Sequence, residues 1–236
     1  MKHLKSFIIV FITLFIPLRV GPSVFANTTA ISNALTYLQS QQASTGQING
    51  WGGESDWAAI AFSQNGLPAS SVKSGDTSLY DFLLSDLPAS DSAATVWERK
   101  IITIISLNQD PTDFAGHNYL SSLESLALNG QLGEETLLND DIFGLLALLS
   151  ASSTNNELIE SVLDFLITHQ DPSGGFSWTT NTCDRCSPDS NDTAAAIQAL
   201  HLAKTSGFTH PQLEDSLSQA QTYLLESQTE SGGFAY

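Results

Sequence analysis

Apolar side chains along this chain recur at steps of three and four residues, the interval that stacks them on one face of an α-helix. Within 158–167, Leu158, Val162, Leu163, Phe165 and Leu166 fall on or near one face. The stretch 194–203 differs: it is rich in alanine, and Ile197, Leu200 and Leu202 spread more evenly around the axis, as in a helix enclosed on most sides. No convincing alternation of apolar and polar residues marks a strand. The pattern predicts helices at 28–42, 54–65, 76–86, 91–107, 116–128, 139–151, 156–169, 190–206 and 211–227. Alternate members, beginning with the second, are richer in alanine and are expected to form an inner layer.

The helices are punctuated by a repeated turn. Gln170 is followed by Gly174, Gly175, Phe176 and Trp178, and Gln228 by Gly232, Gly233, Phe234 and Tyr236 at the same offsets. A degenerate copy starts at Gln42 and continues through Gly46, Gly50, Trp51, Gly52 and Gly53. With weaker helix ends near Asp86 and Leu128, where Asn129-Gly130 follows, the markers at 42, 86, 128, 170 and 228 are 44, 42, 42 and 58 residues apart. The longest interval holds an insertion around Thr179 to Pro188. A period near 42 with two helices per unit predicts hairpins stacked side by side, each unable to bury its apolar face alone. In the turns, glycine takes positive φ without a Cβ penalty and the aromatics fold back over helix ends.

These Gln-to-Gly-Gly-Phe-x-Trp units resemble the repeats of the terpenoid cyclase and protein prenyltransferase α/α toroids (prenyltransferase and squalene oxidase repeats). The stretch Trp51-Gly52-Gly53-Glu54-Ser55-Asp56-Trp57, and Glu98-Arg99-Lys100 leading to Asn108-Gln109-Asp110-Pro111, also resemble exported bacterial proteins of that fold. They are more distantly similar to the cobalamin carriers intrinsic factor and transcobalamin. The resemblance covers most of residues 30–236 and implies an all-α, partial α/α toroid with alternating inner and outer helices around a cavity. Such toroids close with about six hairpins and this sequence supplies about four and a half, so the ring is expected to be incomplete at its C-terminus.

The N-terminus changes the count of residues that fold. Lys2, His3 and Lys5 precede an apolar run from Phe7 to Ile16, and Val24-Phe25-Ala26 places small residues where a signal peptidase reads. Residues 1–26 are therefore expected to be a cleaved signal peptide and 27–236 a single repeat domain, secreted or at the cell surface. The apolar run is half the roughly twenty residues a membrane span needs. No other stretch is long and apolar enough, so no transmembrane segment is expected in the mature chain. Without Lys2, Lys5 and Arg19 that chain keeps 5 basic against 25 acidic side chains, a balance of −20. This excludes nucleic acid as a partner, because phosphate binding needs clustered Lys and Arg. It is the acidity of a chain kept soluble outside the cell.

The candidate chemistry clusters at the starts of inner helices. Pro188-Asp189-Ser190-Asn191-Asp192-Thr193-Ala194 resembles the D-x-D-D-T-A motif of class II terpenoid cyclases, whose middle Asp protonates an alkene. Here Asn191 stands in that place, and an amide cannot supply the proton. Catalytic roles for Asp189 and Asp192 compete with helix capping, which needs no further partner. Asp56, Asp140 and Asp141 also begin inner helices, so these carboxylates are expected along one rim with Trp51 and Trp57 as ligand-binding residues. An oxygen-rich rim of this kind is a Ca²⁺ alternative to capping, although no metal-loop spacing is present. Cys183 and Cys186 are expected to form a short-loop disulfide, with half of a zinc site, completed by His169 and His201, as the alternative. No cofactor is otherwise expected. No Ser/His/Asp arrangement, phosphate loop or nucleotide fingerprint is visible. The sequence thus reads as a noncatalytic binding module for a small molecule, glycan or protein, with a cyclase-like enzyme as the alternative and cobalamin binding as the third reading.

Overall fold

A computed structural model describes residues 28–50 and 52–234. The signal-peptide expectation and Trp51 lie outside them. The described residues are mostly helical, as the periodicity predicts. The helices are α1 (Thr28–Ser40), α2 (Gly52–Gln64), α3 (Leu79–Ser85), α4 (Ala94–Ser106), α5 (Tyr119–Glu124), α6 (Leu138–Ser150), α7 (Asn156–Thr168), α8 (Ser190–Thr205) and α9 (Leu213–Ser227). None of them is long and apolar enough to cross a membrane.

Two helices are shorter than the period predicts, each for a local reason. Residues 76–86 were expected to be helical throughout, but Thr77–Ser78 (β2) pairs antiparallel with Lys73–Ser74 (β1) before α3 begins. Ser78 then closes a capping box with Asp81, its hydroxyl accepting from the Asp81 N–H while the carboxylate accepts from the Ser78 N–H. Likewise α5 stops at Glu124, and Ala127–Leu128 (β3) pairs with Gln131–Leu132 (β4). Asn129 and Gly130 between them both take positive φ, 53° and 83°, the conformation of a tight two-residue hairpin. These two hairpins correct the expectation of a chain without strands.

α2, α4, α6 and α8 pack each against the next. α1 and α3 pack on α2, α5 on α4, α7 on α6 and α9 on α8. The larger apolar cluster runs from Ala94 in α4 to Ala220 in α9, and a second one, with Ile48, Phe62, Val72 and Leu83, fills the space among α1, α2 and α3. Tyr80 packs against both.

The repeated glutamine is the bolt of each turn. Gln42 donates from Nε2 to the carbonyls of Gly46 (2.8 Å) and Val72 (3.0 Å), and Gln170 does the same to Gly174 (2.7 Å) and Ser216 (3.0 Å). One bond holds the turn to itself, and the other ties it to the chain ahead of α3 in the first case and to the first turn of α9 in the second. At Gly174, φ is +90° and a Cβ would lie 2.7 Å from the Gln219 carbonyl oxygen in α9. Glycine is needed there for both reasons. Replacing Gln170 with Ala is expected to cost about 2 kcal/mol, two hydrogen bonds with one acceptor left in a crowded turn, measured by urea unfolding.

Candidate functional site

The carboxylates expected along one rim sit at or near helix starts, where they form three local groups with different partners. Asp56, fully buried in the first turns of α2, is paired with two cations of α4: Arg99 Nε donates to Oδ2 at 2.9 Å, and Lys100 Nζ lies 3.0 Å from Oδ1. The second contact is ionic and has no hydrogen-bond alignment. Lys100 also reaches Asp86 at the end of α3, so one buried ammonium joins α2, α3 and α4.

The second group is at α6. Asp141 Oδ1 accepts from the Leu132 N–H (2.8 Å) and Asp140 Oδ2 from the Glu134 N–H (3.1 Å), so both side chains hold the β3–β4 hairpin and the loop after it against the helix. Glu98, which the sequence reading missed, faces them from α4, fully buried, with neither carboxylate oxygen hydrogen-bonded in the protein. Burial pushes its carboxyl well above the usual carboxylate range, Asp140 and Asp141 add to the shift, and Arg99 opposes it. Burial also raises Asp140, and it pushes Asp141 up to about 7 against the lowering effect of the Leu132 N–H. The signal for Glu98 was available: Ala94, Glu98 and Ile101 fall at i, i+4 and i+7, which places a carboxylate in an apolar stripe.

The third group caps α8. Asp189 Oδ1 accepts from the N–H groups of Asn191 (2.7 Å) and Asp192 (2.9 Å), the ordinary work of an N-cap. Asp192 is part-buried, and burial together with the hydrogen bond and charge of Asp189 pushes it up to about 7. Asn191 is exposed.

The aromatics divide sharply. Trp97 and Phe176 are core residues, Trp97 stacking on His117 with centroids 5.5 Å apart. Trp57 is 51% exposed and Trp178 40%. Trp178 donates from Nε1 to the Arg185 carbonyl (3.2 Å), inside the inserted loop. That loop lies over the approach to α6, with Asn139 donating to the Trp178 carbonyl and Thr180 to that of Thr136, both at 3.1 Å. Within it Cys183 and Cys186 are bonded to each other. Neither is a free thiolate for zinc, and His169 is engaged elsewhere, its ring packed on Phe165 and its Nδ1 2.8 Å from the Phe165 carbonyl. Among the described residues no three His, Cys, Asp or Glu side chains gather as a metal site.

α4 and α6 each pack against two even helices and an odd one, and each keeps one line of residues that is only partly buried. Their part-exposed residues recur there at helical spacing: Thr95, Arg99 and Ile102 on α4, and Asn139, Phe143 and Leu146 on α6. Trp57 of α2 and Asn191, Ala194 and His201 of α8 continue the series at the two ends of the row. Thr95, Asn139 and Asp140 also line a cleft with Gly133 and Leu137. The face is apolar in the middle, and Arg99 supplies its cation. No family model matches this chain, and no curated protein is significantly similar to it.

Proposed function

We propose that this chain is the binding module of an exported or cell-surface protein, a partial α/α toroid whose α2–α4–α6–α8 row turns its uncovered face toward a ligand. The observation that carries this reading is the face itself: Ile102 on α4 and Phe143 and Leu146 on the neighbouring α6 are only partly buried, at helical spacing with Thr95, Arg99 and Asn139. A ligand with an apolar body fits the middle of it, and Arg99 and Asn139 would meet a polar end. The acids argue for binding over catalysis, because Asp56, Asp140, Asp141 and Asp189 are each committed to an ion pair or a backbone donor.

One observation favours the cyclase-like alternative. Asp192 keeps its proton up to about pH 7 beside Asp189, next to the position where the resembled enzymes carry their acid. That proton is held too tightly for the task. Alkene protonation demands a strong acid, and a carboxyl raised to about 7 is weaker than an ordinary one.

Titration of Trp fluorescence with farnesol, an apolar chain with one polar end, tests the reading. Saturable quenching is expected, weakened about tenfold by Phe143→Ser as the buried aromatic contact is lost, with no cyclic product by gas chromatography. Cyclic products from the unaltered protein would end the binding-module reading in favour of the enzyme. Cobalamin absorbance travelling with the protein through gel filtration, with no farnesol quenching, would establish the third reading instead.

A further inference from the structure

The Gln-Gly-Gly turn occurs three times among the described residues, and its first two copies show what normally covers it. At Gln42, the Nε2 group reaches the Val72 carbonyl, a Cβ on Gly46 would meet the Ser78 carbonyl, and Ile48 is buried with its N–H donating to Ser55 Oγ at 2.9 Å. At Gln170, Nε2 reaches the Ser216 carbonyl, Gly174 packs on Gln219, and Phe176 is buried with its N–H donating to Thr193 Oγ1 at 2.9 Å. In both cases the cover is the next helical hairpin. Its even helix supplies a hydroxyl from its first turns, and its odd helix, or the chain leading into it, supplies a carbonyl and a stretch of backbone.

The third copy is built to the same pattern, and no described residue covers it. Gln228 Nε2 donates to the Gly232 carbonyl at 2.9 Å, and Gly232 has φ of +84°, as in the other two turns. Yet a Cβ on Gly232 would meet nothing within 4 Å, and Phe234 is 51% exposed where Phe176 is 0%. Gly233 is the more telling residue. Its counterpart Gly175 is crowded, since a Cβ there would lie 2.6 Å from Pro188 and 2.9 Å from Tyr223. At Gly233 the nearest atoms are the turn's own Thr229 and Ser231, at 3.7 and 3.9 Å, and φ is not left-handed. Nothing among the described residues requires a glycine at 233.

We infer that the turn Gln228–Phe234, at the end of α9, is a docking surface for one further helical hairpin of this chain's own repeat type. The occupant's chemistry follows from the two covered copies. A Ser or Thr near the start of its even helix pairs with Phe234, and a carbonyl in the first turn of its odd helix or ahead of it accepts from Gln228 Nε2. The odd helix passes close over Gly232. A second copy of this chain offering α2 and α3 is a poor fit, because its α1, which ends in the first turn, would fall where α9 already stands.

The test compares the chain as it is with a chain lengthened by one hairpin, made by repeating residues 177–234 directly after Phe234 so that the register of Phe176 is reproduced. In the unaltered chain, Gln228→Ala and Gly233→Val should leave the melting temperature essentially unmoved, whereas Gln170→Ala lowers it by roughly 4 °C. The lengthened chain should unfold in one transition. There, Gln228→Ala at the newly covered turn should lower the melting temperature as much as Gln170→Ala, and Gly233→Val should split off a separate, lower transition. A second extension, residues 49–86 placed after Phe234, repeats the test with α2 and α3. The inference is overturned if Gln228→Ala is already as harmful in the unaltered chain, or if neither extension folds together with it. It is equally overturned if both substitutions stay silent in the lengthened chains. A dimer of the unaltered chain, abolished by Gly233→Val in light scattering, would assign the surface to a second copy instead.

Discussion

Asp56→Ala lowers the melting temperature by about 10 °C. Asp56 is fully buried and meets both Arg99 and Lys100. Removing one partner of a buried ion pair costs about 3–5 kcal/mol, because the remaining charge keeps its desolvation penalty and loses its counterion. In a chain of this size each kcal/mol is worth roughly 2–4 °C. Lys100 retains Asp86, so the stranded charge is chiefly Arg99, which keeps some contact with water. Asp56→Ala combined with Arg99→Met should therefore recover part of the loss. Thermal unfolding followed by circular dichroism checks both. A drop of under 2 °C for Asp56→Ala would mean that the pair contributes almost nothing, and the account of how α2 is held to α4 would fail with it.

Raising the pH from 5 to 8 destabilises the protein. Glu98, Asp141 and Asp192 all hold protons more tightly in the folded chain than in the unfolded one, Glu98 most of all. A carboxyl whose folded pKa is raised contributes fully below its unfolded value, near 4, and the contribution drains away as pH climbs through the folded value. For Asp141 and Asp192 the loss therefore spreads from about pH 4 to about pH 7, and Glu98, raised by its burial, adds to it in the same direction. The combined loss is on the order of 3 kcal/mol, allowing for Asp192 being part-exposed and for the interaction of the buried groups with one another. Glu98→Gln keeps the shape and removes the charge that Asp140 and Asp141 oppose. It should raise the melting temperature at pH 8 by roughly 5 °C and leave it nearly unchanged at pH 5. A melting temperature that is flat or rising across this interval in the unaltered protein would show that Glu98, Asp140 and Asp141 are not buried against one another as described.

The two expectations differ in how much of them could be read along the chain. Asp56 at a helix start was visible, and so were Arg99 and Lys100, but their pairing joins residues 43 and 44 positions apart and depends on α2 lying beside α4. Glu98 was overlooked because a single carboxylate among Trp97, Ile101 and Ile104 looks like one polar residue on a helix until a second helix arrives with two more. The short hairpins were overlooked for the opposite reason. Asn129-Gly130 and the Ser78–Asp81 box are local signals, but each was absorbed into the longer helical period around it.

What the sequence determined by itself was local: helices from a three-to-four spacing of apolar residues, and turns from glycines whose φ is positive in all three copies. These depend on steric and hydrogen-bonding preferences within a few residues of each other. Only the tertiary structure decided which acids are neutralised by cations, which crowd one another, which aromatics are core and which residues of the even helices stay partly exposed. Those outcomes depend on the dielectric and the neighbours each side chain meets after distant helices pack, and no interval along the chain records them.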